Sequence, residues 1–349
     1  MEPLFQFFNN LFPYLSSWPE WLAHTLVGVV TALLLFGFVA LFALFAIWLE
    51  RKISAHMQDR LGPMEVGGWH GWAQPIADAI KLFVKEDLVP AMADKALFKL
   101  APVIVFTAAL AGFAVLPWSQ DFIPADLDVG LLYILSVSSF AVIGILMGGW
   151  ASNNKWSLYG AMRAASQMVS YEIPVALSLL AVIMNAGTMS MRHLVIAQSG
   201  NILDWNVFNF FPLTAVAFFI YFVASLAEVN RTPFDLPEGE SELVGGFHTE
   251  YSSMRFAFFF LGEYANMYIV SAIATTVFLG GWLPPFEILS FIPGPIWFVG
   301  KTMTLVFVQM WLRWTLPRLR VDQLMYTCWK VLTPFSFVII LLIGLWKVL

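Results

Sequence analysis

Charge and cysteine are what this chain has least of. Only 12% of its 349 residues are charged, against roughly a quarter in water-soluble domains. The single cysteine, Cys328, excludes a disulfide framework and any thiolate-built metal or iron–sulfur site within the chain. Five histidines are present, and only His24 falls in an apolar run, which excludes a bis-histidine haem protein. No glycine-rich dinucleotide fingerprint occurs. The stretch GPIWFVGKT at 294–302 spaces its glycines by one residue too many for a phosphate loop. A formal net charge of −5 is the opposite of the clustered basic surface that nucleic acid selects. The first residues show neither a basic start nor a small-residue cleavage site, so no leader peptide is expected.

What the chain has instead is hydrophobicity, at 60% of its residues. A membrane helix needs about 20 mostly apolar residues. Runs of that length fall roughly at 21–49, 97–116, 130–150, 157–184, 207–227, 254–278, 296–316 and 331–349. The expected fold is a single polytopic, all-α integral membrane domain over 1–349 with about eight transmembrane helices. Lys and Arg set the orientation. Placing the N-terminus outside puts fifteen of the eighteen basic residues in odd-numbered, inner connectors; only Arg192, Lys301 and Lys347 fall outside. The long connectors, 50–96 and 228–253, are then both inner, and connectors are where function concentrates.

The first of them reads LERKISAHMQDRLGPMEVGGWHGWAQPIADAIKLFVKED. Glu50, Arg51 and Lys52 are expected to cap the first span at the interface. From Pro75, a good first helical residue, Ile76, Ile80 and Phe83 form one helix face and Asp78, Lys81 and Lys85 the other. Such an amphipathic helix lies in the headgroup plane, or walls an entrance for a lipid-soluble substrate with Asp78 and Lys81 turned inward.

The second is acid-rich on a face that should be positive. AEVNRTPFDLPEGESELVGGFHTEYSS, at 227–253, carries Glu228, Asp235, Glu238, Glu240, Glu242 and Glu250, with only Arg231 to answer them. It reads either as a solvated charged loop or as a functional cluster. Asp235-x-x-Glu238 resembles a capping box. Interleaved Phe234, Leu236, Leu243, Val244 and Phe247 give the acids apolar walls, and crowded carboxylates raise one another's pKa.

Two acids fall inside apolar runs, Glu172 and Glu263. A charge at mid-bilayer costs about 3 kcal/mol or more, so each faces a cavity, relays protons or stays protonated. Arg163 cannot neutralise Glu172, because nine residues at about 100° each place them on opposite helix faces. The partner must come from another helix. Pro174 frees a carbonyl one turn back, where water is expected beside Glu172. Asn266 shares a face with Glu263, and Gly144-x-x-x-Gly148 suits close helix packing.

The blocks ERKISAHMQDRLGP, QPIADAIKLFVKED, AMRAASQMVSYEIP, AEVNRTPFDLPEGESELVGGFHTEYSSM and FFFLGEYANM resemble the signature blocks of one family. It is the quinone-site membrane subunit of respiratory complex I, the proton-translocating NADH:quinone oxidoreductase (subunit 1 in mitochondria). The resemblance runs from the first helix to the sixth. It implies quinone as substrate, no covalently bound cofactor, and flavin and iron–sulfur clusters only in partner subunits of a peripheral arm. It implies quinone contacts at Arg51, Asp78, Lys81, Arg231 and Phe234. It also implies proton coupling through Glu228, Asp235, Glu238, Glu240, Glu242 and Glu250 to Glu172 and Glu263, and on into antiporter-like membrane subunits. The implied location is the bacterial inner membrane, with odd-numbered loops facing the cytoplasm. The homologous membrane subunit of an energy-converting hydrogenase is the alternative. A stand-alone transporter usually shows an internal repeat, and none is evident.

Overall fold

The computed structural model describes residues 4–5, 8–9, 19–237 and 239–349, with side chains at all of these except 240 and 241. Glu238 lies outside the described residues, and so does the side chain of Glu240. In lipid every backbone polar group must be satisfied within the chain, and among the described residues the elements are helical, with no strand.

The main helices are α1 (Glu20–Met57), α2 (Gln74–Val84), α3 (Lys95–Phe113), α4 (Gly130–Ala151), α5 (Lys155–Ala186), α6 (Leu213–Glu228), α7 (Ser253–Phe278), α8 (Gly294–Thr315) and α9 (Val321–Val348). Six of them, α1, α3, α4, α5, α7 and α9, are long and apolar enough to cross a membrane. The chain is an integral membrane protein. Caps fix several boundaries. Asp94 accepts the backbone N–H groups of Ala96 and Leu97 at the start of α3, and Asn154 that of Trp156 at the start of α5; Gly187, in the left-handed region, ends α5.

Three elements depart from the hydropathy runs. The run at 207–227 is not one helix: a short turn of helix, Asn206–Asn209, stops before Pro212, and α6 begins at Leu213 with 16 residues. Proline has no N–H for the ladder, and sixteen residues rise only about 24 Å. α1 runs 38 residues, two turns beyond its apolar run, because ERKISAHM continues the helix and buries Glu50 and Lys52. α9 begins at Val321, well before 331, and passes through a π-helical turn at Thr327–Leu332. Pro334 follows that turn, and its missing N–H removes one ladder bond there.

α7 is the most enclosed of the six crossing helices and packs against α1, α3, α6 and α8. α4 lies close on α3: a Cβ at Gly144 would stand 2.6 Å from Val105 Cγ2 and 3.2 Å from the Ala101 carbonyl, so only glycine allows that approach. At the other end of α7, Gln198 takes the N–H groups of Asn206 and Gly280. There Lys301 Nζ donates to the carbonyls of Leu279, Gly281 and Leu283 at 2.7, 3.1 and 2.7 Å.

Candidate quinone and proton-coupling site

The C-terminal parts of α1 and α8 and the middle of α7 meet the chain just after α6, and each brings one polar side chain. Glu50 of α1 is buried at 5% exposure. It accepts the Tyr264 hydroxyl of α7 on Oε2 at 2.6 Å and the Arg313 guanidinium of α8 on Oε1. Arg231, 4% exposed, places Nη1 3.6 Å from the same Oε1 and its guanidinium 4.6 Å from the Tyr264 ring centroid. Two guanidiniums thus face one carboxylate. A buried charge persists only where it is paired or hydrogen-bonded, and the aromatic face beside Arg231 adds to that.

The sequence reads Glu50 as an interfacial cap, and the structure corrects this. Lys52 is likewise buried, its Nζ donating to the carbonyls of Leu61 and Pro63 at 3.2 and 2.7 Å and so holding the Gly62-Pro63 turn. Arg51 points elsewhere. It pairs with Asp78 of α2 at 2.6 Å, beside a cavity of about 320 Å³ lined by Arg51, Ser54, Arg60, Gly62, Pro63 and Gln74. Lys81 is exposed one turn on, and Ile80 and Phe83 are exposed on the same short helix. Phe234 stands apart from this pair, buried against Tyr171 of α5 with ring centroids 5.3 Å apart.

Gln167 of α5 holds the start of the acid-rich loop. Its Nε2 faces the carbonyls of Ala227 and Phe234 and the Asn230 Oδ1 at 2.8, 2.7 and 3.1 Å. Three residues before Arg231, Glu228 lines two cavities of about 20 Å³, each large enough for one water. Glu263 and Asn266 of α7 line the first of these, and Asn266 the second as well. Glu172 of α5 accepts the Ser139 hydroxyl of α4 at 2.5 Å, the partner from another helix that its face requires. The carbonyl freed by Pro174 is that of Ser170, and the Cys328 thiol of α9 faces it at 3.0 Å, where the sequence predicts water.

More than Arg231 answers the remaining described acids of the loop. Asp235 meets Arg318 at 3.3 Å, Glu242 meets Arg163 at 2.6 Å, and Glu250 accepts from Asn154 at 2.5 Å. The capping box expected at Asp235-x-x-Glu238 falls on Glu238, outside the described residues; the next described helical turn, Glu240–Leu243, starts after Gly239.

A family model described as NADH dehydrogenase matches residues 30–344. The H subunit of NADH-quinone oxidoreductase from Chlorobaculum tepidum is 51% identical, over 96% of this chain and 98% of its own length. The protein of that name from Geobacillus kaustophilus is 48% identical over the same shares. Its namesake from Anaeromyxobacter dehalogenans is 46% identical over 92% and 82%. The chain belongs to this H-subunit family of NADH-quinone oxidoreductase.

In this family member the Arg163–Glu242 contact latches the acid-rich loop to α5. The hydrogen bond from Arg163, with the positive charges of Arg163 and Arg318, holds the Glu242 carboxyl below its ordinary value of 4.5. A lowered folded value stabilises the fold above the unfolded value, and the contribution is lost as pH falls through the lowered one. Glu242 is more than half exposed, so solvent screens much of the effect. The expected result is that protease protection of the loop persists at neutral pH and declines only below about pH 4.5. Arg163→Met should remove that pH dependence; a decline at the same pH in both would rule the latch out.

Proposed function

We propose that the chain is the membrane subunit of a complex I-type NADH:quinone oxidoreductase, forming the floor and entrance of a quinone chamber and carrying the first steps of proton coupling. Electrons reach quinone from flavin and iron–sulfur clusters in a peripheral arm docked on the inner face, and this chain holds no redox centre. In this reading eight spans cross the bacterial inner membrane, α6 and α8 completing the six. The odd-numbered loops face the cytoplasm, and α2 lies in the headgroup plane with Ile80 and Phe83 toward lipid. Antiporter-like membrane subunits take up the coupled protons. The names of the three relatives above support a quinone-linked complex over a hydrogenase.

One observation carries the coupling: Arg231 of the buried Glu50–Arg313–Tyr264 cluster and the cavity-lining Glu228 share one turn of chain, tied to α5 by Gln167. Quinone enters past Arg51, Asp78 and Lys81 and meets the Arg231 guanidinium, with Phe234 packed behind it. Charge appearing on a quinone under reduction draws on Arg231, and low local dielectric carries that change to Glu228. Glu228 then exchanges protons with Glu263 through the small cavity and with Glu172, while Asp235, Glu238, Glu240, Glu242 and Glu250 respond to the peripheral arm.

Glu228→Gln tests the reading. NADH-driven quinone reduction and proton pumping should fall at least tenfold, the ordinary scale for loss of a proton-transfer group being about 100-fold or more. Assembly on a native gel and NADH oxidation by an artificial acceptor that bypasses the quinone should stay unchanged. Unchanged quinone reduction would sink the coupling role.

A further inference from the structure

Two neighbouring serines on α4 have no part in the reading above beyond one hydrogen bond. Ser139 Oγ faces the Glu172 carboxylate at 2.5 Å and the Leu135 carbonyl at 3.2 Å. Ser138 Oγ lies 2.9 Å from that same carbonyl. It also lines a cavity with Glu228 and is within hydrogen-bond reach of the Glu228 carboxylate. Glu172 and Glu228 stand on different helices, α5 and α6, yet lie within electrostatic reach of each other. α4 is thus the element that touches both acids, through consecutive residues.

A serine hydroxyl has one proton to give and two lone pairs to accept with. Each of these hydroxyls faces two acceptors, one carboxylate and the shared carbonyl, and can serve only one at a time. When its glutamate is ionised, the serine donates to the carboxylate in a charge-assisted bond, about twice the strength of a neutral one. When the glutamate is protonated, the acid O–H donates to the serine Oγ and the serine turns its own proton to Leu135 O. The carbonyl already accepts the Ser139 backbone N–H in the helix ladder, so two hydroxyls drawing on the same oxygen each bind less strongly than one alone. Withdrawal of Ser139 to an ionised Glu172 therefore strengthens the bond from Ser138 to Leu135 O, the state that goes with a protonated Glu228. Coulomb repulsion between the two carboxylates acts in the same direction.

We propose that Ser138 and Ser139 are positioning residues that make Glu172 and Glu228 a coupled pair in which ionisation of one favours protonation of the other. The Leu135 carbonyl is the common acceptor between them. The proposal rests on the reading of both glutamates as proton-carrying groups, and it assigns the communication between them to two hydroxyls on a third helix. No bond to carbon forms or breaks. The proton lost by one acid stays among oxygen atoms, and each serine keeps one proton throughout.

The test uses the assembled complex in native membranes, with Ser138→Ala, Ser139→Ala, their double variant, and Ser138→Thr and Ser139→Thr, which keep the hydroxyl. The double alanine variant should lower NADH-driven quinone reduction and pumping about tenfold, the scale of a lost buried donor to a charged group. Artificial-acceptor turnover and assembly should remain normal. Each threonine variant should retain most of the coupled rate. In infrared difference spectra the C=O band of a protonated carboxyl should move in Ser139→Ala and not in Ser139→Thr. Equal losses in alanine and threonine variants would mean a packing defect and overturn the proposal. Glu172→Gln and Glu228→Gln separate its failure from that of the underlying reading. If they lose coupling while the double alanine variant keeps it, the serines have no such role and the glutamate reading survives; if they too are silent, both readings fall.

Discussion

Glu50→Ala is expected to destabilise the folded protein by about 3–5 kcal/mol, the penalty for removing one partner of a buried ion pair. Arg231 Nη1 and Arg313 Nη1 both address Glu50 Oε1, and the Tyr264 hydroxyl addresses Oε2. Alanine removes every one of those acceptors at once. Glu50→Gln keeps the side chain's shape and one acceptor oxygen, so it should fold better while still losing the charge balance. Thermal stability of the detergent-solubilised complex, with band intensity on a native gel, measures the order wild type, Gln, Ala. Arg313→Met removes the cation that meets Glu50 at the shorter distance, so Glu50→Ala combined with Arg313→Met should be less unstable than Glu50→Ala alone. Strict additivity of the two losses would show that the pair is not coupled.

Gly160→Ala should detach the acid-rich loop from α5. A Cβ on Gly160 would stand 2.6 Å from Gly246 Cα, 2.8 Å from Gly246 C and 2.8 Å from Phe247 N. All three are backbone atoms, and Gly246 itself sits at φ +61, so nothing at the contact can swing aside. Overpacking of this kind costs about 1–3 kcal/mol. The expected outcome is faster proteolysis within 239–250 and a lower unfolding temperature, with Phe247 losing its edge-on contact to Phe259. Gly300→Ala is the control, since nothing lies within 4 Å of the added Cβ. A Gly160→Ala complex as stable as that control would show that the loop is not seated on α5.

How far the chain can be read without its fold depends on the kind of interaction. Hydropathy locates the crossing helices because lipid exposure is a sum over single residues within about 20 positions. Periodicity likewise places Glu172 and Arg163 on opposite faces of α5, and Ser139 of α4 meets Glu172 on its own side. The break before α6 is legible in principle from Pro212, but a run of apolar residues on both sides of it gives a window average that a single proline does not lower.

Glu50 is the instructive miss. In the chain it stands beside Arg51 and Lys52 at the end of an apolar run, which is how an interfacial cap reads. Its partners are Arg231, Tyr264 and Arg313, the last of them 263 positions away. Arg163 and Arg318 escape as partners of Glu242 and Asp235 for the same reason.

Membrane class, helical content, the basic bias of one set of connectors and, through long ordered blocks, the family all follow from the order of residues alone. Each depends on local composition or local pattern. Which acids are buried with cations, which are latched at the surface, and which meets a hydroxyl from another helix became visible only in three dimensions. Those outcomes depend on the packing of α1, α4, α5, α7 and α8 around the acid-rich loop. A charge in a low-dielectric interior is governed by what lies within a few ångströms, and separation along the chain says little about that distance.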